Sequence, residues 1–120
     1  MLFRSGALGS AGYVGLSTDK PRRAGQTDVT QVNAHVDIMN WTTRAFLGDG
    51  PALDLAIRHL RDKRSGKADP QEPTGLLTHH LAHDEAAWGF TDRFLGAIAT
   101  HRAARWCDVR EIFVPAPEAA

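Results

Sequence analysis

The sequence predicts an α/β fold, built as a section of parallel strands with helices packed on them, and three observations carry this. Residues 29–37 alternate as a strand does: Thr30, Val32, Ala34 and Val36 fall on one face, and Gln31, Asn33, His35 and Asp37 on the other. Two stretches with helical spacing, 49–64 and 84–99, follow that strand. A short apolar run, 74–78, lies between them. Strand, helix, strand, helix, strand is a βαβ order. It implies a parallel sheet with helices on its faces, or a partial (β/α) barrel.

The elements are read in order. Residues 1–15 are rich in Gly, Ala and Ser, and read as a flexible N-terminal arm or a poorly pairing strand. Residues 13–16 make the first strand candidate, and 16–114 the folded part. Residues 19–28 are polar and hold Pro21 and Gly25, so they read as a loop, with Lys20, Arg22 and Arg23 as a solvated basic cluster. Asp49-Gly50-Pro51 is a helix-start signal, after which Leu53, Ile57 and Leu60 recur at helical spacing. Residues 65–73 form a polar connection with two prolines. The run 74–78 reads as a buried strand. Asp84 caps or opens the second helix, where negative charge is favoured. Trp88, Leu95 and Ile98 give that helix an apolar stripe, widened by Phe90 and Phe94. Residues 104–107 are a last short strand candidate, and Asp108 caps a final turn reaching Phe113. Pro115 and Pro117 end the ordered part, leaving 115–120 as a tail.

Composition narrows the function classes. Apolar residues make up 42% and charged residues 23%, which suits a folded domain rather than a disordered chain. The 14 basic side chains balance the 14 acidic ones, so no field favours nucleic acid or a polybasic membrane surface. No run approaches the ~18 apolar residues of a membrane span. Glycines and serines interrupt the first residues, so no signal peptide is read and a cytoplasmic location is expected. The one cysteine, Cys107, rules out an intrachain disulfide and a Cys-based zinc site, and reads as a buried structural thiol. No phosphate-binding glycine loop or G-x-S-x-G elbow is present.

The chemistry-bearing group is His79-His80-Leu81-Ala82-His83-Asp84-Glu85, directly after the 74–78 strand. Strand ends of this kind are where α/β folds build their sites. Three imidazoles and two carboxylates in seven residues suit metal binding or proton transfer. His79 and His83 are four apart, as metal ligands on one helical face are. The plainer alternative is that these histidines bond loop carbonyls and help start the helix. On the earlier strand, Asn33, His35 and Asp37 make a face that either lines a site or is an ordinary surface.

Residues 73–88, from Pro-Thr-Gly-Leu-Leu-Thr-His-His-Leu through His83-Asp84-Glu85 to Trp88, resemble the late part of polysaccharide-deacetylase-like proteins (the NodB-homology type). Residues 16–23, the Gln-Val-Asn-Ala-His-Val-Asp-Ile-Met-Asn-Trp run of 31–41, and Ala104-Arg105-Trp106 follow the same order. The resemblance implies the C-terminal section of a distorted deacetylase barrel that hydrolyses the amide of N-acetylated sugars or polysaccharides. It implies a divalent metal, typically zinc, in the complete domain, held by two histidines and an aspartate. A histidine after a late strand serves as acid to the leaving amine. His79 is the match to that acid, with His80 the second candidate. Asp37, Asn40 and Trp41 match the element that forms the pocket and orients the acid. Such an acid needs an imidazole, which donates a proton near neutral pH, and a carboxylate behind it that favours the charged ring. Asn40 stands where the family commonly places an aspartate, so that charge falls to Asp37.

The family's Asp-Asp strand and metal-binding His-x-x-x-His are not found before Leu16, and no Asp-Asp pair occurs anywhere in the chain. Hydrolysis by this chain alone is therefore not expected. Two other readings stand beside the deacetylase segment: a non-catalytic α/β interaction module, and a small histidine-rich metal protein using His79, His80 and His83. A barrel section also leaves strand edges and helix faces uncovered, so self-association is expected.

Overall fold

One extended run, residues 29–37, organises the fold because it pairs along both of its edges. The computed structural model describes residues 5–23 and 29–113. Most of the expected arm falls within them; residues 1–4, residues 24–28 of the 19–28 loop, and the 115–120 tail with Pro115 and Pro117 lie outside. In chain order the elements are α1 (Ser5–Ser10), β1 (Gly15–Leu16), β2 (Thr30–Gln31), β3 (Val36–Asp37), β4 (Met39–Asn40), β5 (Ala45–Phe46), α2 (Asp49–Ser65), β6 (Leu76–Leu77), α3 (Glu85–Ala99) and α4 (Val109–Ile112).

β1 runs parallel to β2, with Gly15 opposite Thr30 and Leu16 opposite Gln31. Backbone hydrogen bonds Val32 N to Leu16 O (3.0 Å) and Ala34 N to Thr18 O (2.8 Å) extend that edge. The chain then changes partner. His35 N and Val36 N both donate to Gly75 O, and β3 runs parallel to β6 with Val36 opposite Leu76 and Asp37 opposite Leu77. The single strand expected over 29–37 is thus two short ladders facing opposite ways. Between the parallel strands β3 and β6 the chain passes through the β4–β5 segment and α2. None of the small sheets closes into a barrel.

β4 and β5 form an antiparallel hairpin that the sequence reading did not include, with Met39 opposite Phe46. Asn40 starts its turn, because its Oδ1 accepts from Thr42 N (3.0 Å) and Thr43 N (3.3 Å).

The core is Val36, Ile38, Ala52, Ala56, Ala87 and Phe90, with Phe46, Leu55, Leu76 and Phe94 packed around it. Removing side chains such as Val36 and Ile38 wholly from water contributes about 1.5–3 kcal/mol each. α2 turns Ala52, Ala56 and His59 inward. Leu53, Ile57 and Leu60, the stripe that marked this helix, are exposed. Two alanines let the helix axis approach the strands closely, which longer side chains would prevent. Gly66 ends α2 in the left-handed region, with φ 83°, where glycine carries no Cβ penalty.

Asp84 caps α3 by accepting from Ala87 N (2.9 Å), and Asp108 caps α4 by accepting from Arg110 N (2.8 Å), both as expected. Trp88 is more exposed than a core stripe requires, whereas Phe90 is buried. Two expectations are corrected. Residues 5–10 of the arm are helical, and Gly12, two residues past the helix, has a φ of 88°. Residues 104–107 form no strand: Trp106 is exposed and Cys107 only half-buried, because no neighbouring strand pairs with this segment among the described residues. Among the described residues no helix is long and apolar enough to cross a membrane.

Candidate functional site

The parallel pairing of β3 with β6 brings the two ends that matter together. Asp37 closes β3, and His79 stands two residues past β6. His79 Nε2 lies 3.2 Å from Asp37 Oδ1, at ion-pair distance but off the line of a hydrogen bond, and no other protein group bonds this buried nitrogen. The other carboxylate oxygen, Asp37 Oδ2, accepts from Trp41 Nε1 at 2.8 Å. Asp37 Oδ1 also accepts from Met39 N at 3.1 Å, so the carboxylate is fixed by its own backbone. The Trp41 and His79 rings meet edge to face, 4.6 Å between centroids and 81° between planes. Asp37, Trp41 and His79 therefore orient one another.

The turn after β6 fixes His79 from the other side. Ala82 N and His83 N both donate to His79 O, at 2.8 and 2.9 Å. His83 folds back so that its Nε2 accepts from His79 N at 3.3 Å. That role requires a bare Nε2, which puts the ring proton on Nδ1. Burial, and then the neighbouring His79 ring, hold His83 below the usual imidazole range, so it is neutral at pH 7. Its ring rests edge-on against Trp88 at 4.7 Å. His80 points outward and is exposed.

Asn40, placed beside Trp41 in the sequence, spends its side-chain oxygen on the hairpin turn, and Asp37 is the residue whose carboxylate reaches His79. Asn33 and His35, expected on a pocket-lining face with Asp37, are buried in a separate polar network. Asn33 Oδ1 accepts from Thr18 N, Thr18 Oγ1 and Gln31 Nε2, and its Nδ2 donates to Lys20 O. His35 Nδ1 accepts from Gly75 N at 2.9 Å, so its proton lies on Nε2, 2.7 Å from Glu72 Oε1. These groups hold the backbone of the site rather than face a ligand.

Glu72 was not legible as a key residue. It sits in the connection before β6, is 1% exposed, and accepts from Arg22 N (3.0 Å), Asn33 N (2.9 Å) and His35. Burial opposes its ionisation, but the two backbone donors and the His35 ring outweigh that and hold its carboxyl below the usual range. Its donors lie 37 to 50 residues away, so no local pattern marks it.

A metal at His79 and His83 needs both rings aimed at one point together with a third donor. His83 instead turns Nε2 onto the His79 amide, and among the described residues no three His, Cys, Asp or Glu groups converge. The described residues around His79 and His83 do not fit a divalent-metal centre.

Beside His79 an open groove of ≈ 710 Å³ is lined by Trp41, Arg44, Leu81 and Ala82. Chemically the site offers one oriented imidazole with an unbonded buried nitrogen, a carboxylate beside it, and an aromatic wall. Because Nε2 is closed off and faces Asp37, a proton passed to a group lying against Trp41 would have to come from the other ring nitrogen, Nδ1. No family model, no curated protein and no solved structure matches the chain.

Proposed function

We propose that this chain forms the leaving-group side of a polysaccharide-deacetylase-like site, a partial (β/α) barrel in which His79 hands a proton to the departing amine of an N-acetylated sugar. The single observation that supports it most is the 3.2 Å approach of His79 Nε2 to Asp37 Oδ1 across two adjacent parallel strands. In this reading Asp37 and Trp41 are positioning residues: the carboxylate aims the ring, and the indole holds the carboxylate. His80, exposed and aimed outward, is the weaker candidate for the acid. In this reading no step is given to a metal on this chain, and the groups that would hold one come from the complementary segment.

Two measurements test this. Titration with N-acetylated chito-oligosaccharide, followed by NMR, should shift the Trp41 Nε1–H and His79 ring signals. Mixing the chain with a separately expressed N-terminal segment of a deacetylase of this family, with zinc, should release acetate that neither part releases alone. His79→Ala should cut that release about 10²–10⁴-fold, and His80→Ala should leave it nearly unchanged. Sugar that leaves both signals unmoved, or acetate release indifferent to His79, overturns the proposal.

A second reading, a non-catalytic interaction module, draws on a different observation: the exposed Leu53, Ile57 and Leu60 on α2. The small histidine metal protein has no comparable support.

A further inference from the structure

Arg44 closes the turn between β4 and β5, and its φ is 56°. This left-handed conformation is one that glycine or asparagine fills readily and that a residue with a long side chain fills at a cost in stability. An arginine held there points to a use for its side chain rather than for its backbone. Its charge is also unneutralised. Among the described residues Arg44 has no carboxylate at ion-pair distance, a state it shares with Arg23, Arg58, Arg61, Arg64 and Arg102, but of these only Arg44 lines the groove beside His79.

The groove beside His79 joins these facts to a ligand chemistry. Its lining residues include the half-exposed Trp41 (48%), the almost fully exposed Leu81 (93%) and Arg44. The Trp41 ring is oriented by its bond to Asp37 and touches His79, so the groove adjoins the imidazole. An indole and a leucine suit the apolar face of a sugar ring. A guanidinium suits a carboxylate, which it can bind through two parallel hydrogen bonds.

We infer that the groove takes a hexuronate residue, its carboxylate on Arg44 and its ring against Trp41, so that the glycan recognised here is acidic, an N-acetylated sugar joined to a uronic acid. This rests on the reading of the His79 site as a sugar site and adds the charge of the substrate.

The test is binding, read from Trp41 fluorescence and its Nε1–H signal. The probes are a disaccharide of glucuronic acid and N-acetylglucosamine and the same disaccharide with its carboxyl reduced. The acidic disaccharide should bind about five- to tenfold more tightly. The preference should shrink when salt rises from about 0.02 to 0.3 M. Arg44→Gly should abolish it, bringing the two affinities together, and not lower Tm, because glycine accepts the left-handed backbone. Arg44→Lys, which keeps the charge and loses the paired geometry, should fall between. Equal affinity for the two probes, or a preference that survives Arg44→Gly, overturns the inference while leaving the sugar site standing. If neither probe perturbs Trp41, the inference falls together with the sugar-site reading.

Discussion

Glu72 Oε1 and His35 Nε2 lie 2.7 Å apart, with both side chains closed off from solvent. Glu72 belongs to the connection before β6 and His35 to the central extended run. The same carboxylate also accepts from Arg22 N and Asn33 N. One buried charge therefore ties together three segments that are distant in sequence. It holds the edge on which β6, and so His79, is laid down.

Glu72→Gln keeps the shape but removes the charge and turns an NH₂ group toward donors. Losing a buried, multiply bonded carboxylate costs roughly 3 kcal/mol. Denaturant unfolding should show that loss. A variant as stable as the parent protein would mean that the network contributes little.

The rings of His35 and His59 are stacked, 4.2 Å between centroids and 14° between planes. Burial, and then the adjacent His35, lower the His59 pKa from 6.5, and among the described residues no group bonds its buried Nε2. The unfolded chain thus takes up this proton more readily than the fold does, and stability must rise with pH over the interval. The His59 contribution is complete above pH 6.5 and is lost as pH falls through its lower folded value. His83 acts in the same direction. Thermal unfolding should show Tm falling from pH 7 to pH 5, and His59→Phe should flatten that slope. Glu72, lowered from 4.5, adds a separate loss at more acid pH. A Tm constant from pH 7 to pH 5 would contradict this account.

Gly75 passes close to the neighbouring run. A Cβ there would lie 2.9 Å from Asn33 O and 3.1 Å from Ala34 Cα, both backbone atoms that cannot swing aside. Gly75→Ala should therefore cost about 1–3 kcal/mol and displace β6. Amide shift changes reaching His79, in a protein still folded, would check the second effect. An unperturbed spectrum would argue that the strands have room to spare.

Leu53, Ile57 and Leu60 lie on one exposed stripe of α2, with Asp54 and Arg61 beside it. Two copies of α2 packed antiparallel about Ile57 would bury the stripe twice and set Asp54 of each against Arg61 of the other. Sedimentation should show concentration-dependent association that Ile57→Glu weakens at least tenfold, since it places a charge at the centre of the contact. A parent protein that stays monomeric as concentration rises would refute this.

Much of the local structure was legible because its causes are local. Asp84 and Asp108 cap helices by bonding amides two or three residues on. The alternation through 29–37 reported an extended run. The pairing of β3 with β6 joins an alternating run to an apolar one across an intervening helix, and it sets Asp37 within reach of His79. The hairpin was not legible because its turn, Asn40 to Arg44, holds no glycine, proline or Asn-Gly pair to mark it.

What the sequence determined by itself, then, was where α2, α3, α4 and the extended runs at 29–37 and 74–78 lie, since caps and periodicity act over a few residues. Tertiary structure decided which face each presents. α2 carries two stripes of the same period, Ala52–Ala56–His59 and Leu53–Ile57–Leu60, and only the close approach of the strands selected the smaller one. Asn33 and His35 went to a buried network and Asp37 to the site because Glu72 and Gly75, about forty residues on, met the first two. Such contacts depend on three-dimensional proximity, and no short-range pattern in the chain encodes them.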